Sequence, residues 1–492
     1  MEILLSAILG DLTTRSMNFF ISKLPKPAEL DVENRLSRIL LRAQVIISEA
    51  MGREITNLAM LQQLTVLTDS MHRGYYSLDT FRCQTQEEAK GHHSSLLSIV
   101  LDSVKDLCFP SGTSTQKTQR EMQDVLDSLR LMIVDAHELV MFLSNYSCMY
   151  RQPFSMYLQL DNCMFGRQME AQFVINFLLH RQPPCVEEPL EVLPIVGPFR
   201  VGKSTLVAHV CKDARVRDYF SQIVLLSDLD FRDEDLAAFR KGCATMKHRN
   251  STSGNSYKDE RRRLLLVVEA AGDLDEDIWH RLYSSSKRWM PRGSKIIITS
   301  RSNKIKNLGT TQALTLKHLS QEAYWYFFKT LAFGSTDPMP HPRLTSLAME
   351  ISKMMNGSMI IANVAARMLR DNFDVRFWSK FAAFVRMQFQ RHVSKFGEHP
   401  YDLLNHNKPV YFGRIHRRSE QVIAYHKYGH YSSQEEVVPK ITLHDVTYGE
   451  TKLSARFEVL AWTSLIPPYY SYVYACEVQE LEARATKRKR SE

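Results

Sequence analysis

Through roughly the first 147 residues, apolar positions recur at helical spacing. The first candidate helix runs from about Ile3 to Ile21. In the second, Val32, Leu36, Ile39, Leu40, Ala43, Ile46, Ile47 and Ala50 fall at three- and four-residue steps on one face. The third runs from about Ile55 to Phe81, and the fourth carries the stripe from Met122 to Leu143. No strand-type alternation intrudes. Amphipathic helices bury their stripes against each other, so the spacing predicts an N-terminal four-helix bundle. A long connection, Gln84 to Gln119, leaves room for a short extra helix over Leu96–Leu107.

After Pro153 the pattern changes. Short apolar runs at Val192–Val196, Ile223–Leu226, Leu264–Val268 and Ile296–Ile298 alternate with helical segments. Uninterrupted β-rich runs mean strands buried on both faces, hence a parallel sheet flanked by helices. Pro194 fits that reading less well and is tolerated near a strand's start. The polar stretch Arg249–Asp259 reads as a surface loop. Helical spacing returns at Gln321–Leu331, Leu344–Met355 and Ile360–Leu369. Beyond Gln390, aromatics and histidines mix with turn residues, and Ile441–Leu443 and Phe457–Ala461 read as strands. The expected fold class is multidomain α and α/β. Its domains are a helical bundle over 1–150, a parallel-sheet α/β domain over 160–312, a helical domain over 313–390 and an α+β region over 391–492.

Composition narrows this picture. A chain of 492 residues exceeds one core, and 44% apolar with 24% charged residues excludes wholesale disorder. No apolar run approaches the roughly 18 residues needed to span a bilayer. Glu2 and Asp11 break a signal-peptide layout. The expected location is the cytoplasm, with the nucleus and the plasma-membrane periphery as further compartments. Eight cysteines without a C-x-x-C pair fit reduced thiols. The net charge of +9 is spread widely, so a solvated basic surface is the reading and nucleic acid is not an expected partner. Lys487–Arg490 reads either as a nuclear-import signal or as a solvated tail. His426 and His430 could share a metal only on a helix face; Gly429 and the neighbouring tyrosines favour loop or strand, against a metal there.

The strongest chemical signal is Gly197-Pro198-Phe199-Arg200-Val201-Gly202-Lys203-Ser204-Thr205, which contains G-x-x-x-x-G-K-[ST]. Chance gives such a match in roughly 2% of chains this long. Gly197 and Gly202 let the backbone approach phosphates with its amides pointing inward. The following helix aims its positive end at the anion. Lys203 supplies a charge to the β- and γ-phosphates, and the Ser204 hydroxyl a ligand to Mg²⁺.

A P-loop ATPase also needs an acid at a neighbouring strand end and a group that orients water. Glu269 ends the Leu264–Val268 run and can hold a hydrated Mg²⁺. Ala270 and Ala271 follow, and neither can accept a proton. The expectation is binding with slow or absent hydrolysis. At the end of the next strand, the Arg301 guanidinium could reach a γ-phosphate bidentately, or be an ordinary surface arginine.

Together these motifs resemble the NB-ARC module of plant disease-resistance proteins of the coiled-coil class, with its Rx-type N-terminal domain. The resemblance covers roughly residues 1 to 390. Gly197–Thr205 is similar to the family's P-loop, Leu264–Ala270 to its Walker B strand, and Gly293–Arg301 to its G-S-[KR]-I-I-[VI]-T-[TS]-R strand. Phe165-Gly166-Arg167 resembles the segment that opens the module near the adenine, which implies roles for Gly166 and Arg167. Leu61–Arg82, ending in Gly74–Arg82, resembles the third helix of the family's N-terminal four-helix domain, with the acidic E-D-V-I-D stretch largely lost.

The resemblance implies ADP or ATP with Mg²⁺, a switch between a closed and an open state, and partners among immune receptors or signalling proteins that meet the N-terminal helices. The departures matter too. Ala270 replaces the second Walker B acid, and Asn356–Ile360 stands where the family has G-L-P-L. Leu443-His444-Asp445 echoes the M-H-D triplet but follows Gly357 too closely for a normal winged-helix domain. No leucine-rich repeats are seen. An active P-loop ATPase and a nucleotide-free scaffold or decoy are the competing readings.

Overall fold

The computed structural model describes residues 30–90, 115–148, 160, 164–180, 190–227, 263–270, 272–400, 403, 408–414, 420–431, 439–448, 453–466 and 471–480. The chain divides into two compact units. One comprises 163–318 with 466–468, and the other comprises the remaining residues.

Among its described residues, the second of these units begins with α1 (Leu30–Met51), α2 (Leu58–Lys90), α3 (Thr115–Asp135) and α4 (His137–Leu143). Leu36, Leu40 and Ile47 of α1 share one core with Leu67, Met71 and Leu78 of α2 and with Met122, Leu126 and Leu129 of α3. The expected apolar stripes therefore face each other. At Gly74 a Cβ would sit 2.6 Å from Leu40 Cδ2, so a larger residue there requires the Leu40 side chain to shift. Helix α2 starts at Leu58 rather than Ile55, because the Asn57 side chain accepts from the amides of Ala59 and Met60 and caps the first turn. The expected fourth helix is two, broken at Ala136. Its apolar stripe continues across the break, which is why periodicity alone reads one helix. The segments expected over Ile3–Ile21 and Leu96–Leu107 lie outside the described residues.

The unit 163–318 contains α5 (Gln168–Leu179), β1 (Glu191–Val196), α6 (Lys203–Lys212), α7 (Ala214–Tyr219), β2 (Gln222–Ser227), β3 (Leu264–Glu269), α8 (Glu276–Trp289), β4 (Lys295–Ser300) and β5 (Leu314–Thr315). Among the described residues the five strands form one parallel sheet in the order β2-β3-β4-β1-β5. Alternate strand residues serve its two faces. Leu193, Ile195, Leu265, Val267 and Ile297 meet Val174 and Leu178 of α5 and Leu206 and Val210 of α6. Val192, Val196, Leu266, Val268, Ile296 and Ile298 meet Trp279 and Leu282 of α8. Both faces are covered, so the strands show no polar alternation.

Pro194 sits inside β1, and the ladder explains how. The Val192 amide donates to Thr310 Oγ1, and the Val196 carbonyl accepts from Leu316, so even-numbered residues turn their polar groups toward the β5 side. The Gly197 amide instead donates to Ser300 of β4. The donor that proline lacks therefore falls on the side where β5 pairs only with Ile195 and Val196. Gly309 makes room for the ring, since a Cβ there would lie 2.3 Å from Pro194 Cγ. The loop expected over Arg249–Asp259 lies outside the described residues.

Chain 319–465 returns to the unit that holds α1–α4, through α9 (Gln321–Phe333), α10 (Pro342–Met354), α11 (Met359–Asp371) and α12 (Val375–Phe396). Ser320, Ser358 and Asp374 cap α9, α11 and α12 with their side chains. Helix α12 was not among the expected segments. Its Asp374 cap and the left-handed Gly397 that ends it were the signals available. The unit closes with β6 (Val410–Gly413), β7 (Glu420–Tyr431), α13 (Leu443–Tyr448), β8 (Arg456–Thr463) and β9 (Ser471–Glu480). Among the described residues these strands form an antiparallel sheet in the order β6-β7-β9-β8. The strand expected over Phe457–Ala461 lies within β8. The one expected over Ile441–Leu443 is corrected: Thr442 and Asp445 cap each other reciprocally, and Leu443 opens α13. No helix among the described residues is long and apolar enough to cross a membrane.

Candidate functional site

The glycine-rich segment leaves the end of β1 and enters α6, the strand-to-helix turn that a phosphate loop requires. Two glycines shape it. At Gly197 a Cβ would meet the Leu316 carbonyl at 2.7 Å, and Gly202 has a left-handed φ of 96°. Val201 is buried beneath the loop and anchors it to the core. No side chain caps α6, in contrast to α8, α9, α11 and α12, so its first amides are left to an anion or to water. Ser204 and Thr205, both half-buried, occupy that first turn.

The Lys203 ammonium curls back over the loop and donates to the carbonyls of Gly197 at 2.7 Å and Pro198 at 2.9 Å. Burial, and then the nearby Arg301 guanidinium, pull it down to about 8, with Glu269 acting in the opposite direction. Lys203, Arg301 and Glu269 are therefore electrostatic neighbours. The sheet order makes them so. Strand β4 lies between β1 and β3, with Val196 opposite Ser300 and Glu269 opposite Thr299. All three strands end along one edge, where α/β sheets bind ligands.

Ala270, next to Glu269, is buried and donates its amide to the Thr299 carbonyl, so no proton acceptor stands at this position. Asp273 and Asp275 are used elsewhere. Asp273 pairs with Lys304 at 2.6 Å, and Asp275 caps α8.

The Phe165-Gly166-Arg167 segment also reaches the loop. A Cβ on Gly202 would touch Met164 at 2.8 Å, and Gly166 turns the chain with a φ of 66°. Arg167 is buried, pairs with Glu170 at 2.8 Å and donates to the Lys317 carbonyl just past β5. Here it ties the segment to the sheet.

Phe199 and Arg200, expected from the sequence only as bulky residues that strain the loop, make contacts that the sequence did not indicate. The Phe199 ring holds Arg200 Cζ at 5.1 Å and Arg301 Cζ at 5.2 Å. Arg200 itself has a φ of 55°, a conformation that costs a residue with a side chain about 1–2 kcal/mol.

Other candidates fall outside this site. Asn356 and Gly357 form a left-handed turn before α11, and the buried Ser358 caps that helix while its carbonyl accepts from Tyr324. Asp445 serves the Thr442 cap, and His444 stacks on Tyr448 at 5.6 Å. His426 and His430 lie in β7 rather than on a helix. No cluster of metal-ligating side chains occurs among the described residues. Lys487–Arg490 lie outside them.

Residues 173–338 match the NB-ARC domain family. Over this segment the chain is similar to NB-ARC domains, and the curated relatives it matches are plant disease-resistance proteins. It is 27% identical over 236 residues to disease resistance protein RGA2 of Solanum bulbocastanum, covering 44% of this chain and 23% of that protein. Putative disease resistance protein RGA4 of the same species is 23% identical over 356 residues, covering 68% of this chain and 34% of the relative. A putative RPP13-like protein of Arabidopsis thaliana is 21% identical over 70% of this chain and 34% of its own length. The chain thus spans about a quarter to a third of these relatives. The matched segment holds the P-loop, Glu269 and Arg301 together, so the NB-ARC domain and the loop geometry coincide in the chain.

Proposed function

We propose that this protein is an ADP- and ATP-binding switch of plant defence signalling, with weak or absent hydrolysis. The observation that carries the reading is the Lys203 ammonium, folded into the loop above an uncapped helix end, beside Arg301 and Glu269. In this reading the amides of Gly197–Thr205 and Lys203 hold the α- and β-phosphates, and Arg301 meets the γ-phosphate. Gly166 and Arg167 shape the adenine side. Ser204 and, through water, Glu269 hold Mg²⁺, which screens phosphate charge when bound. The donor set suits that ion, because a hydroxyl and a carboxylate are hard oxygen ligands.

The N-terminal helices, read as an Rx-type bundle of the coiled-coil class, would present the signal to other immune receptors or signalling proteins. A switch from 1:99 to 99:1 needs about 5.5 kcal/mol of differential binding between its states. With Ala270 in place of an acid, reset depends on nucleotide exchange rather than on hydrolysis.

The test is the nucleotide that copurifies with the full chain and with Lys203→Ala. ADP or ATP on the first and none on the second supports the proposal. Neither nucleotide on the wild type, with no thermal response to millimolar ADP, would leave a nucleotide-free scaffold. Turnover well above the Lys203→Ala level would make the protein an ATPase.

A further inference from the structure

The Phe199 ring and the Arg301 guanidinium touch across the phosphate loop, at 5.2 Å from Cζ to ring centroid. Phe199 belongs to the loop and Arg301 follows β4, so the contact joins the two strand ends that frame the phosphate position. The same ring also carries Arg200 at 5.1 Å. A guanidinium over an aromatic face is attracted by the ring quadrupole, so moving it off the ring toward a phosphate forfeits that attraction.

We infer that Phe199 is a specificity-determining residue that biases this site toward nucleoside diphosphate over triphosphate, by competing with the γ-phosphate for Arg301. The inference rests on the nucleotide-binding reading above. A diphosphate is held by the loop amides and Lys203 and makes no demand on Arg301. A triphosphate gains Arg301 only after the guanidinium leaves the ring, so the ring lowers the affinity for one ligand and not the other. That difference is the sole route by which a contact can shift a ligand preference.

Several details agree. Phe199 is half-buried, next to the exposed Pro198, so the ring packs on the loop rather than in the sheet core. Arg200, in its left-handed conformation, follows Phe199 directly and lies 5.1 Å from the same ring.

The experiment measures ADP and ATP affinities by calorimetry, in Mg²⁺, for the full-length wild type and for Phe199→Ala, Phe199→Tyr, Arg301→Ala and Phe199→Ala/Arg301→Ala. Phe199→Ala is expected to tighten ATP two- to fivefold relative to ADP, which is about 0.4 to 1 kcal/mol at 1.4 kcal/mol per tenfold. Phe199→Tyr keeps the ring and the wild-type ratio. In the Arg301→Ala background the Phe199 substitution leaves the ratio unchanged, because the competitor is gone.

An unchanged ratio in Phe199→Ala overturns the inference. So does weaker ATP binding, which would mean that the ring presents Arg301 to the phosphate rather than withholding it. If Phe199→Ala fails to fold, Phe199→Leu, which removes the ring and keeps an apolar side chain, takes its place with the same expected shift and the same overturning result. Arg301→Ala must weaken ATP and spare ADP, and equal loss of both also overturns the inference. Absence of binding to the wild type itself would instead remove the nucleotide-site reading, a result distinct from any of these.

Discussion

Asp79 of α2 lies 2.5 Å from the Lys329 ammonium of α9 and accepts a 2.8 Å hydrogen bond from Trp325 Nε1. Asp79 is buried, and the aromatic rings of Tyr75, Trp325 and Tyr326 surround the lysine at 5.2 to 5.9 Å. Burial and the Asp79 charge push the Tyr75 hydroxyl up to about 12, so it stays neutral and serves as a ring rather than as a competing anion. This cluster ties the N-terminal helices to the helices that follow the NB-ARC sheet in sequence.

Breaking a buried ion pair from one side strands the other charge. Asp79→Ala is expected to destabilise this unit by about 3–5 kcal/mol. The double substitution Asp79→Ala with Lys329→Met should cost less than the sum, because it strands nothing. Urea unfolding of all four proteins checks the cycle, and additive losses would show that the pair does not act as a unit.

The pH dependence of nucleotide binding follows from Lys203. Its ammonium titrates near 8 in the free site, below the ordinary 10.5, for the causes of burial and Arg301. Phosphate favours the charged form, so above pH 8 binding must take up a proton. ADP affinity should be nearly flat up to about pH 8 and fall roughly tenfold by about pH 9. The free protein behaves oppositely: its unfolded form holds more protons between about 8 and 10.5, so this one group adds stability as pH rises there. Calorimetry in buffers of different ionisation enthalpy reads the proton directly. A Lys203→Arg protein should lose the dependence, and a flat wild-type profile would place the ammonium away from the phosphates.

Much of the nucleotide-type unit was legible because its signals are local. Gly197 to Thr205 is a contiguous motif, and strands buried on both faces, such as Leu264–Glu269, leave a run that needs no tertiary knowledge. Even Pro194 was explicable once the side of its missing donor was known. The order of the strands was not legible, because β4 enters between β1 and β3 only in three dimensions. That insertion brings Arg301 to Phe199, a contact between residues 102 positions apart that no spacing encodes. The Asp79 cluster was hidden for a related reason. Periodicity reports which face of α2 is apolar, and cannot say that α9 covers the end of it. Leu443 was misread because Ile441–Leu443 is too short for periodicity to separate a strand from a helix start, and the reciprocal cap of Thr442 and Asp445 decides.

Hydrolysis offers a gain-of-function test. Ala270 stands beside Glu269 with its amide fixed to Thr299, so an aspartate there would project from a defined backbone. A positioned general base contributes roughly 10²–10⁴-fold in rate. Ala270→Asp is expected to raise ATP turnover at least tenfold, from which desolvation at this buried position subtracts part. Single-turnover phosphate release measures it, with Ala270→Asp/Lys203→Ala as the control. No gain in a variant that still binds ATP would mean that water is not positioned beside this strand end.

Acid stability isolates one more buried group. His72 of α2 packs against the Tyr326 ring at 5.0 Å, and burial lowers its imidazole from 6.5 to about 4. A folded value below the unfolded one means that the unfolded chain takes the proton first. The stability linked to His72 is therefore fully present above pH 6.5, declines steadily as pH falls, and is exhausted near pH 4. The whole effect is about 3 kcal/mol by linkage. His72→Phe keeps a ring against Tyr326 and removes the proton. Urea midpoints at pH 7, 6 and 5 should fall more steeply for the wild type than for His72→Phe, with the gap opening below 6.5. Parallel lines would mean that His72 is as protonated in the folded unit as in the unfolded chain, and that the ring contact admits water.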